Sequence, residues 1–162
     1  MKLIIQLLCV FLLTGCAGRP QPQPSLPQPI GKTIIYSLIN DWEFKHEPQY
    51  QGINKAALEK FRDHYFVLSK AEIDDQADAS RYVSTLQGAF GKPKYLLACF
   101  DPRHAISYES SSGHVEALIC FECGSVEIYA GEPTKDEYFV KYVRPEIDAI
   151  YKKYGVKLPV EK

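Results

Sequence analysis

Between Tyr95 and Gly131 the chain breaks into short apolar runs separated by turn residues: "YLLACF", "DPR", "HAISYE", "SSSG", "HVEALICF", "ECGS", "VEIYAG". Each run has strand length, and polar residues alternate with apolar ones in the later runs, so one face of each strand is set against a core. The intervening stretches hold Pro, Gly, Asp and Ser, which favour tight reversals. The pattern predicts a four-stranded antiparallel meander.

The rest of the folded part supplies the other layer. "TIIYSLI", from Thr33 to Ile39, is compatible with a strand or a short helix, and periodicity does not decide between them. "INKAALEKFRDHY" offers Asn54 as an N-cap with Leu58, Phe61 and Tyr65 at helical spacing, before "YFVLSKAEI" turns to strand-forming residues. "DDQADASRYVSTLQGAFG" carries a helical stripe of Ala79, Tyr82, Val83, Leu86 and Phe90, with acids at its start and Gly91 after it. At the end, Thr134 and Glu137 form a capping box ahead of an apolar series from Tyr138 to Tyr154, stopped by Gly155. Pro145 must kink or split that helix. The expected class is α+β: a four- to five-stranded antiparallel meander sheet with helices packed on one face.

At the N-terminus, Lys2 precedes an eleven-residue run from Leu3 to Leu13 interrupted only by Gln6. The run is too short to span a bilayer, and with a cation before it and small residues after it has the layout of an export signal. Leu13, Thr14, Gly15 and Cys16 read "LTGC". This resembles the lipobox of bacterial lipoproteins, in which the cysteine is acylated and the signal is cut immediately before it. The resemblance implies a signal peptide at 1–15, lipidation of Cys16, and the lipid bilayer as a partner. Several acyl chains anchor stably where one alone binds marginally, since each buried methylene contributes about 0.8 kcal/mol. Ala17 differs from the aspartate associated with inner-membrane retention. In a Gram-negative cell the resemblance therefore implies the periplasmic face of the outer membrane.

After Cys16 comes "AGRPQPQPSLPQPIG", with Pro20, Pro22, Pro24, Pro27 and Pro29 holding the backbone near polyproline II. Residues 16–31 read as a semi-rigid tether, reaching roughly 40 Å at about 3.1 Å per residue. Residues 32–162 then form a single domain with one core. Of the 19 basic and 20 acidic side chains, removal of Lys2 leaves 18 against 20. That balance gives no basic patch for nucleic acid.

In a meander the first and third turns lie at the same edge of the sheet. Cys99, Arg103, His104, Cys120 and Cys123, from "CFDPRH" and "CFECG", should therefore gather there. Two such turns can collect zinc ligands, with Cys99, His104, Cys120 and Cys123 as the candidate set. Register decides: if the "SSSG" loop pairs Glu109 with His114, then His104 pairs with Ile119 and Cys120 points to the opposite face, whereas a one-residue slip reverses this. With Cys9 lost and Cys16 lipidated, three cysteines remain, and an exported location favours a disulfide. A thioredoxin-like role does not fit, because "CFEC" closes a strand instead of opening a helix. Arg103 beside His104 at a turn is also suited to an anion. His64 and His114 read as surface or strand residues, and Glu116 and Glu127 as solvent-facing strand residues.

The paired blocks also resemble a pattern in small exported bacterial proteins of no assigned function: C-F-x-P-R-H, then I-C-F-E-C, then a C-terminal helix. Cys99, Phe100, Pro102, Arg103 and His104 match the first block, and Ile119, Cys120, Phe121, Glu122 and Cys123 the second; Ala105 departs from the usual glycine. The resemblance implies that the two blocks act as one unit and brings no activity with it. Three functions fit the residues. One is a tethered, non-enzymatic binding or interaction module whose Cys and His cluster stabilises the sheet edge, with an unknown protein or small molecule as its partner. The second is a zinc-binding protein, and the third an enzyme in which Arg103 orients an anion and His104 or a thiolate reacts.

Overall fold

The structure, a computed structural model, describes residues 25–91, 100–131, 136–140 and 143–158. Its class is mixed α+β. The strands are β1 (Pro29–Ile39), β2 (Lys60–Phe61), β3 (Tyr65–Ile73), β4 (Phe90–Gly91), β5 (His104–Ser110), β6 (Gly113–Cys120), β7 (Ser125–Ala130) and β8 (Asp136–Val140). The helices are α1 (Asp41–His46), α2 (Gln76–Gly88) and α3 (Arg144–Lys153). Among the described residues the strands make one sheet in the order β2-β3-β1-β5-β6-β7-β8-β4, with every pair antiparallel.

A meander is present, but it is β5-β6-β7-β8 and only half of a wider sheet. The stretch 95–99, expected as its first strand, lies outside the described residues, as do Thr134, the lipobox and Cys16. "TIIYSLI" is strand and sits in the middle of the sheet between β3 and β5. β1 also reaches back to Pro29, and Leu26 is buried in the main core, so ordered packing begins inside the segment expected to be tether. Proline is tolerated at a strand's first residue, where a missing donor costs little.

Two expected helices are corrected. Asn54 does act as a cap, its Oδ1 accepting from Ala56 N at 3.2 Å, but the turn it caps ends at Ala57. The chain then forms the β2–β3 hairpin, in which Phe61 pairs with Tyr65 across Arg62 and Asp63, both at positive φ. The ring of Phe61 packs 4.8 Å from Tyr36 of β1, and that tertiary contact overrides the local helical spacing. The C-terminal segment is likewise not one kinked helix. Residues 136–140 are strand β8, and α3 starts at Arg144 with Pro145 in its first turn. There the lost N–H had no helical acceptor anyway, so the proline starts the helix without kinking it. Gly155, at φ +68°, ends α3 as expected: its N–H reaches Lys152 O, and Val156 N reaches Tyr151 O at 2.9 Å.

Alternation along the central strands fixes the layers. Ile35, Ile106, Val115, Ala117, Ile119, Val126 and Ile128 face α2 and α3, which return Tyr82, Val83, Leu86, Ile147, Ile150 and Tyr151. Burying one such side chain contributes roughly 1.5–3 kcal/mol, so this layer dominates stability. The other face carries a smaller cluster of Tyr36, Leu38, Phe61, Val67, Ala105 and Leu118. At the β1 end, Ile39, Phe44, Tyr50 and Phe66 seat α1.

Candidate functional site

The blocks "FDPRH" and "ICFEC" meet at one end of the sheet. Arg103 is held by its backbone: its N–H donates to Ile119 O at 3.3 Å and its carbonyl accepts from Leu38 N at 2.9 Å. β5 then runs from His104, in the register Glu109↔His114 and His104↔Ile119. His104 therefore faces the helices, whereas Cys120, paired with Ser125, faces away. In this register His104 and Cys120, two members of the candidate zinc set, leave the sheet in opposite directions. Cys99 lies outside the described residues. Among those described, no group of three or more His, Cys, Asp or Glu side chains is placed to hold a metal ion.

His104 is 1 % exposed. Its ring stands edge-on between Phe121, at 5.0 Å between centroids, and Tyr151, at 4.8 Å. Nε2 donates to Asp148 Oδ1 at 3.0 Å, and Arg144 Nε holds the other oxygen of Asp148 at 3.3 Å. With Nε2 as the donor, Nδ1 carries a lone pair that meets no hydrogen-bond partner among the described residues. A proton there would be a buried charge without an acceptor. Burial accordingly pulls the imidazole below its ordinary pKa and outweighs the opposing pull of Asp148, while Arg144 and Arg103 push the same way as burial. Burial would raise the pKa of Asp148, but His104 and Arg144 outweigh it and keep the carboxyl below its usual value. The imidazole is thus neutral near pH 7 and the carboxylate ionised.

Arg103 is equally enclosed. Its guanidinium pairs with Glu43 of α1, the two side chains being 8 % and 2 % exposed, and its Nε lies 3.5 Å from Glu122 in the β6–β7 turn. Beside it, Asn40 Nδ2 donates to Asp101 Oδ1 at 2.6 Å while Asn40 Oδ1 caps α1. A shallow cleft remains, lined by Asp101, Arg103, His104, Phe121, Glu122 and Arg144. Four carboxylates, from Glu43, Asp101, Glu122 and Asp148, stand at or just behind two guanidiniums. Arg103, expected to orient an anion, thus has carboxylate partners within the protein itself.

In the turn after β6, Cys120 and Cys123 are both buried as reduced thiols. Cys123 N donates to Cys120 Sγ at 3.4 Å, and the Cys123 thiol points at Cys120 O at 3.9 Å. Burial pushes the Cys120 thiol up to about 12, with the neighbouring Cys123 thiol adding to the effect. A thiol held this way is a poor nucleophile at neutral pH.

Several residues of this cluster escaped sequence reasoning. Glu43 lies in a six-residue helix with no periodic signal. Arg144, Asp148 and Tyr151 do carry one: they recur at i, i+4 and i+7 and so share a face of α3. Tyr151 completes the cluster, its hydroxyl donating to Ala105 O at 2.9 Å and Tyr36 O at 3.0 Å. His64 is exposed and His114 pairs with Glu109 on the surface, as expected. Glu127, expected to face solvent, is 6 % exposed and accepts from Tyr129 Oη at 2.8 Å; Glu116 is half-buried and pairs with Arg62. Compared with protein-family models, curated proteins and solved structures, the chain gives no match, so chemical meaning comes from this geometry alone.

Proposed function

We propose that the chain is a lipid-anchored exported protein whose domain serves as a non-enzymatic binding or interaction module, with the Arg103 and His104 cluster as a structural clamp. The observation that carries this reading is that the buried side chains of Arg103 and His104 are each engaged by carboxylates of the same chain. The Arg103 guanidinium is spent on Glu43 and Glu122, and the His104 imidazole on Asp148 between two aromatic rings. Groups consumed in internal pairs fix four segments to one another: the β1–α1 corner, the start of β5, the β6–β7 turn and α3. A scaffold rigid at that end suits a module that presents a surface. Exposed Trp42, stacked on His46 at 4.7 Å, lies on α1 and offers an aromatic contact of the kind enriched at binding surfaces.

The "LTGC" sequence supports the anchor, with Cys16 acylated and the domain held on the periplasmic side of an outer membrane. No helix of the described residues is long and apolar enough to cross a membrane. Cys16→Ser should move the protein from the membrane fraction to the soluble exported fraction on cell fractionation. A variant that stays with the membranes would refute lipidation as the anchor.

A further inference from the structure

We infer that Cys120 and Cys123 are a modification site: they form a reversible disulfide within the β6–β7 turn, which locks Phe121 and Glu122 against His104 and Arg103. The proposal is independent of how the chain is anchored.

Geometry comes first. The four residues Phe121 to Gly124 connect paired Cys120 and Ser125, so the two cysteines stand at i and i+3 of a tight turn. Ends of such a turn lie under about 7 Å apart at Cα, and a disulfide spans roughly 4.4–6.8 Å. The sulfurs already share the inside of the turn, since Cys120 Sγ accepts from Cys123 N at 3.4 Å and the Cys123 thiol lies 3.9 Å from Cys120 O. Gly124, at φ +69°, supplies the left-handed residue that closes the loop. Position gives the bond a consequence. The two residues between the cysteines are the ones that touch the clamp: Phe121 stands against the His104 ring, and Glu122 faces Arg103 Nε.

The oxidant is a disulfide of the R–S–S–R class, small or protein-borne. The Cys123 thiolate attacks one sulfur, a Cys123–S–S–R bond forms, and R–S⁻ leaves. The Cys120 sulfur then attacks Cys123 Sγ, giving up its proton as the Cys120–Cys123 bond forms and the second R–S⁻ leaves. The two protons lost by the cysteines end on the two R–S⁻ groups. Two thiols are thus oxidised by two electrons while one R–S–S–R is reduced to two R–SH.

The test uses the full-length chain, reduced and then exposed to excess oxidised glutathione at pH 8, with thiols alkylated under denaturing conditions and the 120–123 peptide read by mass spectrometry. The expected peptide is two hydrogens lighter and unalkylated, and it is the same in Cys99→Ser. Alkylation of both cysteines, a stable glutathione adduct on Cys123, or a link from either to Cys99 would overturn the proposal. The oxidised chain should also melt about 5 °C above the reduced one, and the difference should vanish in Cys120→Ala. A disulfide that forms with no rise in melting temperature would overturn the lock.

Discussion

Replacing Glu43 with glutamine removes the charge facing Arg103 while keeping the side chain's size. The two groups are 2 % and 8 % exposed, so the guanidinium is left with little water to recover. Breaking a buried pair from one side costs about 3–5 kcal/mol. Glu122, 3.5 Å from Arg103 Nε and 47 % exposed, retains part of the compensation and places the expected loss near the lower end, about 3 kcal/mol. For a domain of this size that is a large share of a total of about 5–15 kcal/mol, and about 10 °C in melting temperature. Urea unfolding at pH 7 measures it, with an unchanged slope showing that the folded and unfolded states keep their compactness. The double variant Arg103→Met with Glu43→Leu should recover most of the loss, because an apolar pair of similar volume incurs no charge burial. Glu72→Gln, which breaks the exposed Lys32 pair at 3.2 Å, should cost below about 0.5 kcal/mol. A cost under about 1 kcal/mol for Glu43→Gln, or a double variant no better than the single, would refute the clamp.

The depressed pKa of His104 gives a pH dependence with a definite sign. Neutral imidazole is favoured in the fold, so its contribution is complete above the unfolded value near 6.5 and is lost as pH falls through that value toward the folded one. The groups facing it are Asp148, Arg144 and Arg103. Melting temperature should fall from pH 7.5 to pH 5.5, and the slope should flatten in His104→Gln; equal slopes in the two proteins would contradict the assignment. Tyr151→Phe deletes a buried donor shared by two carbonyls and should cost about 1–2 kcal/mol in the same urea assay, with no change counting against that role.

The fold was readable where burial is periodic and misread where a long-range contact overrides a local signal. α2 shows its stripe from Ala79 to Leu86, because its packing face repeats every three or four residues, whereas Phe90 of the expected stripe falls in β4. "KAALEKFRDHY" has the same spacing yet folds as a turn and a hairpin, because Phe61 is claimed by Tyr36, which lies on a different strand. The number of strands was out of reach for a related reason: β2 and β4 are two residues each and exist only because a neighbouring strand pairs with them.

The site divides along the same line. That "CFDPRH" and "ICFEC" share an end follows from meander topology, and which side chains share a face follows from the single pairing of Glu109 with His114. What each group does there depends on partners far along the chain: Glu43 is 60 residues from Arg103, and Asp148 is 44 from His104. Residue type suggested an anion site and a metal ligand, because an arginine beside a histidine is open to both. In the fold each is instead paired with a carboxylate of the chain, Glu43 for Arg103 and Asp148 for His104. Arg103, His104 and their partners then act chiefly through position, and the group left with a further chemical option is the cysteine pair. Its turn holds one clamp contact on each of the two residues it encloses. A covalent bond across that turn would reach both contacts at once, whereas substitution of either contact reaches only its own side.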